Sequence, residues 1–303
     1  MTSVVSFVNA TFVRPPTFYI SGLYNMAYAK YYYMFLCFVY AVTVLGNSFI
    51  IGTIYLARTL HTAKYIAVFN LALSDLCGSS ALIPKYADMF LHENQYISYE
   101  DCLTSMFFVF LCITLQSYTL LALCFDRVIA ICFPLRYHAI VTKTTMTLII
   151  GVVWLFSISF VIVRIALITR LSFCRSTTVD SYFCDHGPIF RLACNDNSPN
   201  YMVSYFNIAI VLCLPMILIA FSYVCIGVIS HGADRKKAMK TCTSHLILVG
   251  MFYVPVFSIY MLTLTTTVQT NTRIFNSVLA QAMPPMLNPI IYTLKTEEVL
   301  HRI

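Results

Sequence analysis

Seven stretches of this chain are apolar over about the thickness of a lipid bilayer, and no other feature constrains the fold as strongly. They run roughly over 31–57, 64–90, 102–132, 144–168, 200–229, 240–266 and 274–294. A helix needs about 20 apolar residues to cross the hydrocarbon core. Lipid offers no hydrogen-bond partners, and the stretches lack the alternation of a barrel strand, so each is predicted to be helical. The sequence therefore predicts an all-α membrane protein, a seven-transmembrane helix bundle forming a single domain over residues 1–303.

The composition supports a membrane environment and excludes two other classes of protein. Charged residues make up only 10% of the chain, whereas a soluble protein carries about 25%. The net charge is +7, but the basic residues form no stripe, which argues against nucleic acid as a partner. We find no convincing internal repeat, which argues against an inverted-repeat transporter.

The distribution of Lys and Arg predicts the orientation in the membrane. With the N-terminus outside, eleven of the nineteen basic residues lie on the inner side, and the cluster Arg235-Lys236-Lys237 carries most of this bias. The acceptor sequence Asn9-Ala10-Thr11 predicts glycosylation of Asn9 and agrees with an outer N-terminus. The first 30 residues lack the pattern of a cleavable signal peptide. This orientation gives an extracellular N-terminus (1–30), an extracellular lid loop (169–199) and a cytoplasmic tail (295–303).

Four of the twelve cysteines are predicted to lie on the outer side of the membrane. They are Cys102, at the start of the third stretch, and Cys174, Cys184 and Cys194 in the long loop. An even number of cysteines in an oxidising compartment indicates disulfides, but four cysteines allow three pairings and their spacing does not choose among them. A zinc site is disfavoured because paired C-x-x-C spacing is lacking. The remaining cysteines lie in or next to apolar stretches, where we interpret them as small packing residues.

An adjacent acid and arginine, Asp126 and Arg127, stand at the inner end of the third stretch. Charges at such a position are costly and usually functional. One interpretation is a switch, in which Asp126 holds Arg127 by a charge-assisted hydrogen bond until a partner protein takes the arginine. The other is an interfacial anchor, in which Arg127 extends to water.

A series of motifs, in order and at matching spacing, covers the chain from about residue 20 to 303. They are Gly46-Asn47, Asn70-Leu71-Ala72-Leu73-Ser74-Asp75-Leu76, Asp126-Arg127, Ala130-Ile131-Cys132-Phe133-Pro134-Leu135-Arg136-Tyr137, Phe183-Cys184-Asp185, Leu192-Ala193-Cys194, Ser222-Tyr223, Lys237-Ala238-Met239-Lys240-Thr241-Cys242-Thr243-Ser244-His245-Leu246 and Pro285-Met286-Leu287-Asn288-Pro289-Ile290-Ile291-Tyr292. Together they resemble the odorant (olfactory) receptors of the rhodopsin-like class A of G-protein-coupled receptors, of the fish type. Two positions depart from that family: Val128 replaces a tyrosine after the Asp-Arg pair, and Val254 replaces a glycine in the sixth helix.

The resemblance implies a non-enzymatic receptor in the plasma membrane of olfactory cilia. It implies disulfides Cys102–Cys184 and Cys174–Cys194, an outer N-terminus, a small odorant ligand, and coupling to a stimulatory, olfactory-type G protein that raises cyclic AMP. The residues implied in the coupling switch are Asp126, Arg127, Tyr223, Lys240, Asn288, Pro289 and Tyr292. No cofactor is implied other than a sodium ion at Asp75.

Asp75 is an acid deep in the second stretch, and two interpretations of it stay open. Its implied neighbours are Asn47, Gln116 and Asn288. They form either a sodium site around the carboxylate or a structural hydrogen-bond network.

A ligand site is expected among the outer halves of the third, fifth, sixth and seventh helices, under the lid loop. The candidates are Met106, Val109, Phe110, Ile113, Thr114, Ser204, Asn207, Ile208, Phe252, Tyr253, Phe257 and Tyr260. Such a set is mostly apolar with a few polar groups, as small-molecule sites generally are. Val109 stands where amine receptors of this class carry an aspartate, and Ala282 stands where opsins carry the retinal lysine. We therefore expect a small neutral or weakly polar ligand, and neither a cationic amine nor a covalent chromophore.

The sequence argues against two functions other than that of a receptor. A membrane metalloenzyme is disfavoured because none of the seven histidines are paired at helical spacing, and no G-x-S-x-G nucleophile motif occurs. A transporter or channel would need ionisable residues along a path through the membrane, and Asp75 is the only clear acid at that depth.

Overall fold

The protein folds into a helical bundle with a small sheet at one end. The structure, a computed structural model, describes residues 13–23, 28–174, 176–229, 242–243, 245–258 and 270–295. Its helices are α1 (Ala29–Leu56), α2 (Ala63–Leu91), α3 (Tyr99–Cys132), α4 (Tyr137–Ile140), α5 (Lys143–Thr169), α6 (His186–Phe190), α7 (Ser198–Asn207), α8 (Leu214–Ile229), α9 (His245–Ser258) and α10 (Thr270–Lys295). A π-helical segment, Ile208–Cys213, joins α7 to α8. The strands are β1 (Thr17–Ile20), β2 (Tyr96–Ser98) and β3 (Thr178–Val179).

The helices match the predicted membrane stretches. Within the described residues, five helical segments are long and apolar enough to cross a membrane: α1, α2, α3, α5 and the continuous segment Ser198–Val228. The sixth predicted stretch contains α9, a shorter apolar helix, and the seventh coincides with α10. The prediction of an all-α seven-helix membrane bundle is confirmed, with bounds that differ by a few residues.

The surface of α5 shows that the surroundings of the bundle are apolar. Leu148, Val152 and Leu155 are 65–70% exposed, whereas the polar residues Ser157 and Arg164 on the same helix are buried. A helix in water would turn the leucines inward and the arginine outward. The reversed arrangement is stable only where lipid covers the outer face of the helix.

Helix α3 lies at the centre of the bundle and packs against α2, α5 and α8. Its first turn is capped by Ser98, whose hydroxyl accepts a hydrogen bond from the backbone N–H of Asp101 at 3.1 Å. Asn70 of α2 donates to Thr119 of α3 at 2.7 Å and accepts from the indole N–H of Trp154 in α5 at 2.7 Å. One buried amide therefore holds three helices in register.

Helix α1 approaches α10 closely at a glycine. A methyl group at Gly46 would lie 2.9 Å from Cβ of Pro289, so only glycine allows this contact. Pro289 has no N–H to donate to the carbonyl of Pro285, one turn earlier in α10. The side-chain amide of Asn47 donates to that carbonyl at 2.9 Å instead. The Gly46-Asn47 pair thus permits the approach of α10 and satisfies the carbonyl that its proline leaves free.

The π-helical segment before α8 also lies next to a proline that leaves backbone carbonyls without a donor. Pro215 lacks the N–H that would otherwise reach the carbonyls of Val211, in an α-helix, or Ile210, in a π-helix. Ser117 of α3 donates to the carbonyl of Val211, and the phenol of Tyr118 donates to that of Ile210 at 3.0 Å. The two freed carbonyls are therefore satisfied by consecutive residues of α3.

One end of the bundle, which we call the disulfide end, is closed by the sheet and two disulfides. Cys102 of α3 is bonded to Cys184, and Cys174 is bonded to Cys194, the two pairings that the resemblance implied. The strand order is β2-β1-β3, with β1 antiparallel to β2 and parallel to β3. The N-terminal segment supplies the central strand, and Phe18 is completely buried. The sequence predicts an extracellular N-terminus but does not indicate this strand.

Candidate ligand site and coupling network

A small cavity, partly open to the surroundings, lies between α2, α3, α9 and α10. It is lined by Gly78, Ser79 and Leu82 of α2, Val109, Cys112, Ile113 and Gln116 of α3, Phe252 and Val256 of α9, and Ala280, Gln281 and Pro285 of α10. The lining is largely apolar with a few polar groups, the character of a small-molecule site.

Two polar atoms of the cavity are available to a ligand. The hydroxyl of Ser79 and the side-chain carbonyl of Gln281 are buried, and neither has a hydrogen-bond partner in the part of the chain that the structure describes. Leaving such groups unpaired is unfavourable, because they have lost their contact with water. A ligand hydroxyl group could donate to the Gln281 carbonyl, and it could donate to or accept from the Ser79 hydroxyl.

The predicted ligand residues separate into two groups. Val109, Ile113 and Phe252 line the cavity. The other described candidates are not among its lining residues: Met106, Phe110, Thr114, Ser204, Asn207, Ile208, Tyr253 and Phe257. Tyr253 instead points its hydroxyl at Ser117 of α3, 2.7 Å away, and Thr114 donates to the backbone of Phe110 at 2.8 Å. The cavity therefore lies nearer to α2 and α10 than the sequence predicted.

The Asp75 carboxylate is fully buried and has an amide on each oxygen. Gln116 donates to Oδ1 at 2.8 Å and Asn288 donates to Oδ2 at 2.7 Å. Asn47, predicted as a third neighbour, donates from its amide nitrogen to the carbonyls of Thr43 and Pro285, and its side-chain oxygen has no hydrogen-bond partner within the described residues, so its amide donors are used elsewhere than at Asp75. The proline in α10 is the reason, because it leaves a carbonyl that needs a donor.

These contacts are those that the structural network predicts, and the sodium site stays a prediction. Each amide turns its N–H toward the carboxylate, so the positive pole of the amide occupies the position that a cation would need. A sodium ion takes oxygen ligands, and both amide oxygens would have to turn inward to supply them. Within the described residues, no group of three or more His, Cys, Asp or Glu side chains could hold a metal ion.

A histidine joins three helices near the end of the bundle that carries Asp126 and Arg127. Nδ1 of His245 in α9 is hydrogen-bonded to the hydroxyl of Tyr223 in α8. Nε2 lies 2.9 Å from the carbonyl of Leu120 in α3. The ring is buried, so movement of α9 relative to α3 or α8 breaks at least one of these bonds.

The Asp126–Arg127 pair also includes a tyrosine. Nε of Arg127 lies 3.5 Å from Oδ2 of Asp126, and the hydroxyl of Tyr137 in α4 donates to Oδ1 at 2.7 Å. Burial, together with the Asp126 carboxylate, raises the pKa of Tyr137 to about 12, so the phenol stays protonated and remains a donor. The Asp126 side chain is 1% exposed and that of Arg127 is 20% exposed, so the acid is buried and the arginine is partly exposed, and the choice between switch and anchor stays a prediction.

Comparison with known proteins identifies the family of this chain. A family model described as "Olfactory receptor" matches residues 36–303. The chain is 34% identical to human olfactory receptor 2A12 over 264 residues, 86% of this chain and 85% of the relative. It is 34% identical to chimpanzee olfactory receptor 1E1 over 279 residues, covering 91% and 87% of the two chains, and 34% identical to mouse olfactory receptor 1M1 over 270 residues, covering 88% and 86%.

This chain belongs to the olfactory receptor family. It is therefore a multi-pass membrane protein and an odorant receptor of the G-protein-coupled class, and it is not an enzyme. The receptor family and the multi-pass membrane character that the motifs predicted are confirmed.

Some predicted residues of the receptor lie outside the described part of the chain. They are Asn9, the basic stretch from Arg235 to Lys240, Tyr260 and the tail beyond Lys295. Of the remaining switch residues, Asn288 belongs to the Asp75 network. Pro289 contacts Gly46, and Tyr292 packs among the apolar residues around α3 and α9.

Several residues of the receptor's network were missed as site residues in the sequence, among them Ser79, Ser117, Tyr137, His245 and Gln281. Ser79 and Gln281 could have been found by helical spacing, because they lie four residues after Asp75 and seven residues before Asn288. Ser117 follows Gln116 directly, but nothing in the sequence indicates that it faces α9. Tyr137 lies between two predicted membrane stretches, where spacing along the chain gives no information on its partner.

Proposed function

We propose that this olfactory receptor binds a small extracellular ligand within the helix bundle and activates a stimulatory G protein, raising cyclic AMP. The proposal places the N-terminus and the disulfide end outside the cell, in the plasma membrane of olfactory cilia. The bias of Lys and Arg supports this orientation, as do two disulfides at one end of the bundle, since disulfides persist in oxidising compartments.

The observation that carries the proposal is the adjacency of Phe252 and Tyr253 in α9. Phe252 lines the cavity, whereas Tyr253 is hydrogen-bonded to Ser117 of α3. A ligand that displaces the Phe252 ring must move or rotate the same turn of α9 that holds Tyr253. Ligand contact in the cavity is thereby coupled to the attachment of α9 to α3.

The movement reaches the Asp126–Arg127 end through the same helix. His245 lies two turns from Phe252 along α9 and is bonded to both Tyr223 and the backbone of Leu120. An outward movement of α9 at this end separates His245 from Leu120 and opens a cleft beside α3. Arg127, released from Asp126, then offers its N–H groups to the C-terminal carbonyls of a G-protein helix, which carry the negative end of the helix dipole.

The test is a panel of odorants, including water-soluble ones, applied to cells that express the receptor and report cyclic AMP. We expect at least one odorant to raise cyclic AMP in these cells and not in cells carrying the empty vector. The same cells without the stimulatory G-protein α subunit serve as the matched control and are expected to lose the response. A response of full size in those control cells contradicts the coupling.

The orientation has a separate test at Asn9. Glycosidase treatment of the expressed receptor is expected to increase its electrophoretic mobility, and Asn9→Gln is expected to abolish that shift. Antibody access to an N-terminal tag on intact cells is the second measurement. A tag that is detected only after permeabilisation would contradict the orientation.

A further inference from the structure

One wall of the cavity is fixed by a close contact between α2 and α3. A methyl group at Gly78 would lie 2.9 Å from Cβ of Cys112, so the two helices approach each other closely where both line the cavity. Ser79, the next residue of α2, is 2% exposed, and its hydroxyl has no hydrogen-bond partner within the described residues. The close contact therefore holds an unsatisfied hydroxyl group at this wall.

Helix α10 presents a carbonyl oxygen to the same cavity. The side-chain nitrogen of Gln281 donates to the hydroxyl of Ser277, one turn earlier in the helix, at 3.5 Å. This contact leaves the side-chain oxygen of Gln281, which is buried and has no partner in the described part of the chain. A carbonyl oxygen only accepts hydrogen bonds, so an occupant of the cavity must offer a donor to satisfy it.

Two other polar side chains of the lining already have partners. Gln116 donates to Asp75 at 2.8 Å, and the thiols of Cys112 and Cys77 are hydrogen-bonded to each other. None of the described residues that line the cavity carries a charge, so an ammonium or carboxylate group of a ligand would meet no counter-ion there. Burial of an unpaired charge costs far more than burial of a neutral polar group. The chemistry of the lining therefore favours a neutral ligand.

Among neutral groups, a hydroxyl matches both unsatisfied atoms of the cavity. Its hydrogen can be donated to the oxygen of Gln281, and its oxygen can accept from the hydroxyl of Ser79. Ethers, ketones, aldehydes and esters only accept. They could take the hydrogen bond of Ser79, but they would leave the oxygen of Gln281 buried and unsatisfied, which is unfavourable.

The rest of the ligand would meet apolar side chains on α3 and α9. Val109 and Ile113 of α3 line the cavity, as do Phe252 and Val256 of α9. Phe252 and Val256 are four residues apart and share a face of α9. Because the cavity is small and its α2–α3 wall is fixed, a hydrocarbon chain attached to the hydroxyl has to displace the α9 wall. This is the helix that the proposed activation moves.

We propose that the odorant of this receptor is a small alcohol, whose hydroxyl group donates to Oε1 of Gln281 and accepts from Ser79. Gln281 and Ser79 then set the preference of the receptor for one functional group. The inference rests on the proposed function and names the ligand class of the same site.

The first experiment compares ligands that differ in their polar group and not in their size. Cells expressing the full-length receptor are given short alcohols, the isomeric ethers with the same number of heavy atoms, and the ketones, carboxylic acids and amines of the same chain length. We expect the alcohols to raise cyclic AMP at concentrations about tenfold below those of the ethers, because only the alcohols satisfy Gln281. Equal potency of alcohols and ethers would overturn the inference. A ketone more potent than its alcohol would also overturn it, since the site would then favour an acceptor.

Variants of the two polar residues test their roles separately. Gln281→Leu is expected to weaken the potency of alcohols about tenfold and to leave that of ethers and ketones unchanged. Ser79→Ala removes a donor that alcohols and ketones share, so it should weaken both. The matched control is Ser80→Ala, which removes an exposed hydroxyl bonded to Tyr40 and should change no ligand class. If Gln281→Leu weakens alcohols and ethers equally, Gln281 does not read the hydroxyl group and the inference is wrong.

A binding measurement separates this inference from the coupling proposal. Thermal unfolding of the purified full-length receptor is recorded with each alcohol and its isomeric ether, for the wild type, Gln281→Leu and Ser80→Ala. We expect alcohols to raise the unfolding temperature of the wild type and of Ser80→Ala more than ethers do, and Gln281→Leu to remove that difference. If alcohols stabilise the receptor in this manner but cyclic AMP does not rise, the coupling is wrong and the alcohol site stands. If ethers or ketones stabilise and activate the receptor as well as alcohols do, the alcohol site is wrong and the coupling stands.

Discussion

The hydroxyl groups of Tyr253 and Ser117 lie 2.7 Å apart, which joins α9 to the middle of α3. Ser117 also donates to the carbonyl of Val211, which Pro215 leaves without an N–H partner. One small hydroxyl group on the central helix therefore holds both the π-helical segment before α8 and the helix that lines the cavity. Any rotation of α9 has to break or rearrange this contact.

Tyr253→Phe removes the bond to Ser117 and keeps the ring. A single hydrogen bond contributes about 0.5–1.5 kcal/mol, so the variant should raise ligand-independent cyclic AMP by about two- to tenfold. The measurement is basal cyclic AMP at matched surface expression. Tyr205→Phe, at an exposed position of α7, is the control and should show no change. Unaltered basal signalling in Tyr253→Phe would mean that the bond does not restrain α9.

Arg127→Ala should abolish agonist-driven cyclic AMP while ligand binding persists. The cavity residues lie several helical turns from Arg127 along α3, so the ligand site should be unaffected, whereas the G protein loses its principal donor. Binding is followed by the shift of the thermal unfolding temperature with agonist, and signalling by cyclic AMP at matched surface expression. Arg136→Ala, an exposed arginine after α3, serves as the control. A full-size response in Arg127→Ala would show that the pair has another role.

Cys184→Ala should reduce surface expression or ligand response strongly. The bond between Cys102 and Cys184 closes a loop of 82 residues, and removal of a native disulfide typically costs about 2–5 kcal/mol. The loss also leaves the thiol of Cys102 buried at the start of α3. Cys37→Ala, at an exposed free cysteine, is the matched control. Peptide mapping without reduction provides the direct check, and fragments joining other cysteines would contradict the pairing.

Gln116→Glu should give the receptor a sodium dependence that the wild type lacks. The substitution replaces an N–H donor beside Asp75 with a second carboxylate, so that the positive pole of the amide is lost and an oxygen ligand is gained. Agonist potency is compared in sodium chloride and in an equal concentration of an organic cation chloride. We expect no difference for the wild type and a clear shift for the variant. A sodium-dependent potency in the wild type would support the alternative interpretation of Asp75 as an ion site.

Phe18→Ala should destabilise the disulfide end. The ring is completely buried and packs edge-on against Phe173, with centroids 5.3 Å apart. Truncation of a buried phenylalanine costs about 3–5 kcal/mol, which should appear as a lower unfolding temperature of the purified receptor. Thr17→Ala, one residue away and exposed, should leave that temperature almost unchanged. Equal stability of both variants would show that the N-terminal strand does not hold the sheet in place.

The membrane stretches were predictable because a helix in lipid must be apolar over a fixed length, and that property is local. Ala29–Leu56 and Lys143–Thr169 are therefore found within a few residues of the predicted bounds. The strand Thr17–Ile20 was missed because four residues carry too weak a pattern, and its pairing partners lie about 80 and 160 residues further along the chain. The α2 and α10 residues that line the cavity were not predicted for a related reason. Helical spacing indicates which residues share a face, but it does not indicate which neighbouring helix that face meets.

The prolines show which features of the bundle are local and which depend on packing. The positions of Pro215 and Pro289 determine by themselves which carbonyls lose their helical donor, because proline has no N–H and the rule is local. Nothing local determines which side chain replaces the donor. Only the packing of α3 against the π-helical segment brings Ser117 to Val211, and only the close approach of α10 at Gly46 brings Asn47 to Pro285. A buried carbonyl must be satisfied, but the nearest donor is set by distance in space, which the order of residues does not fix.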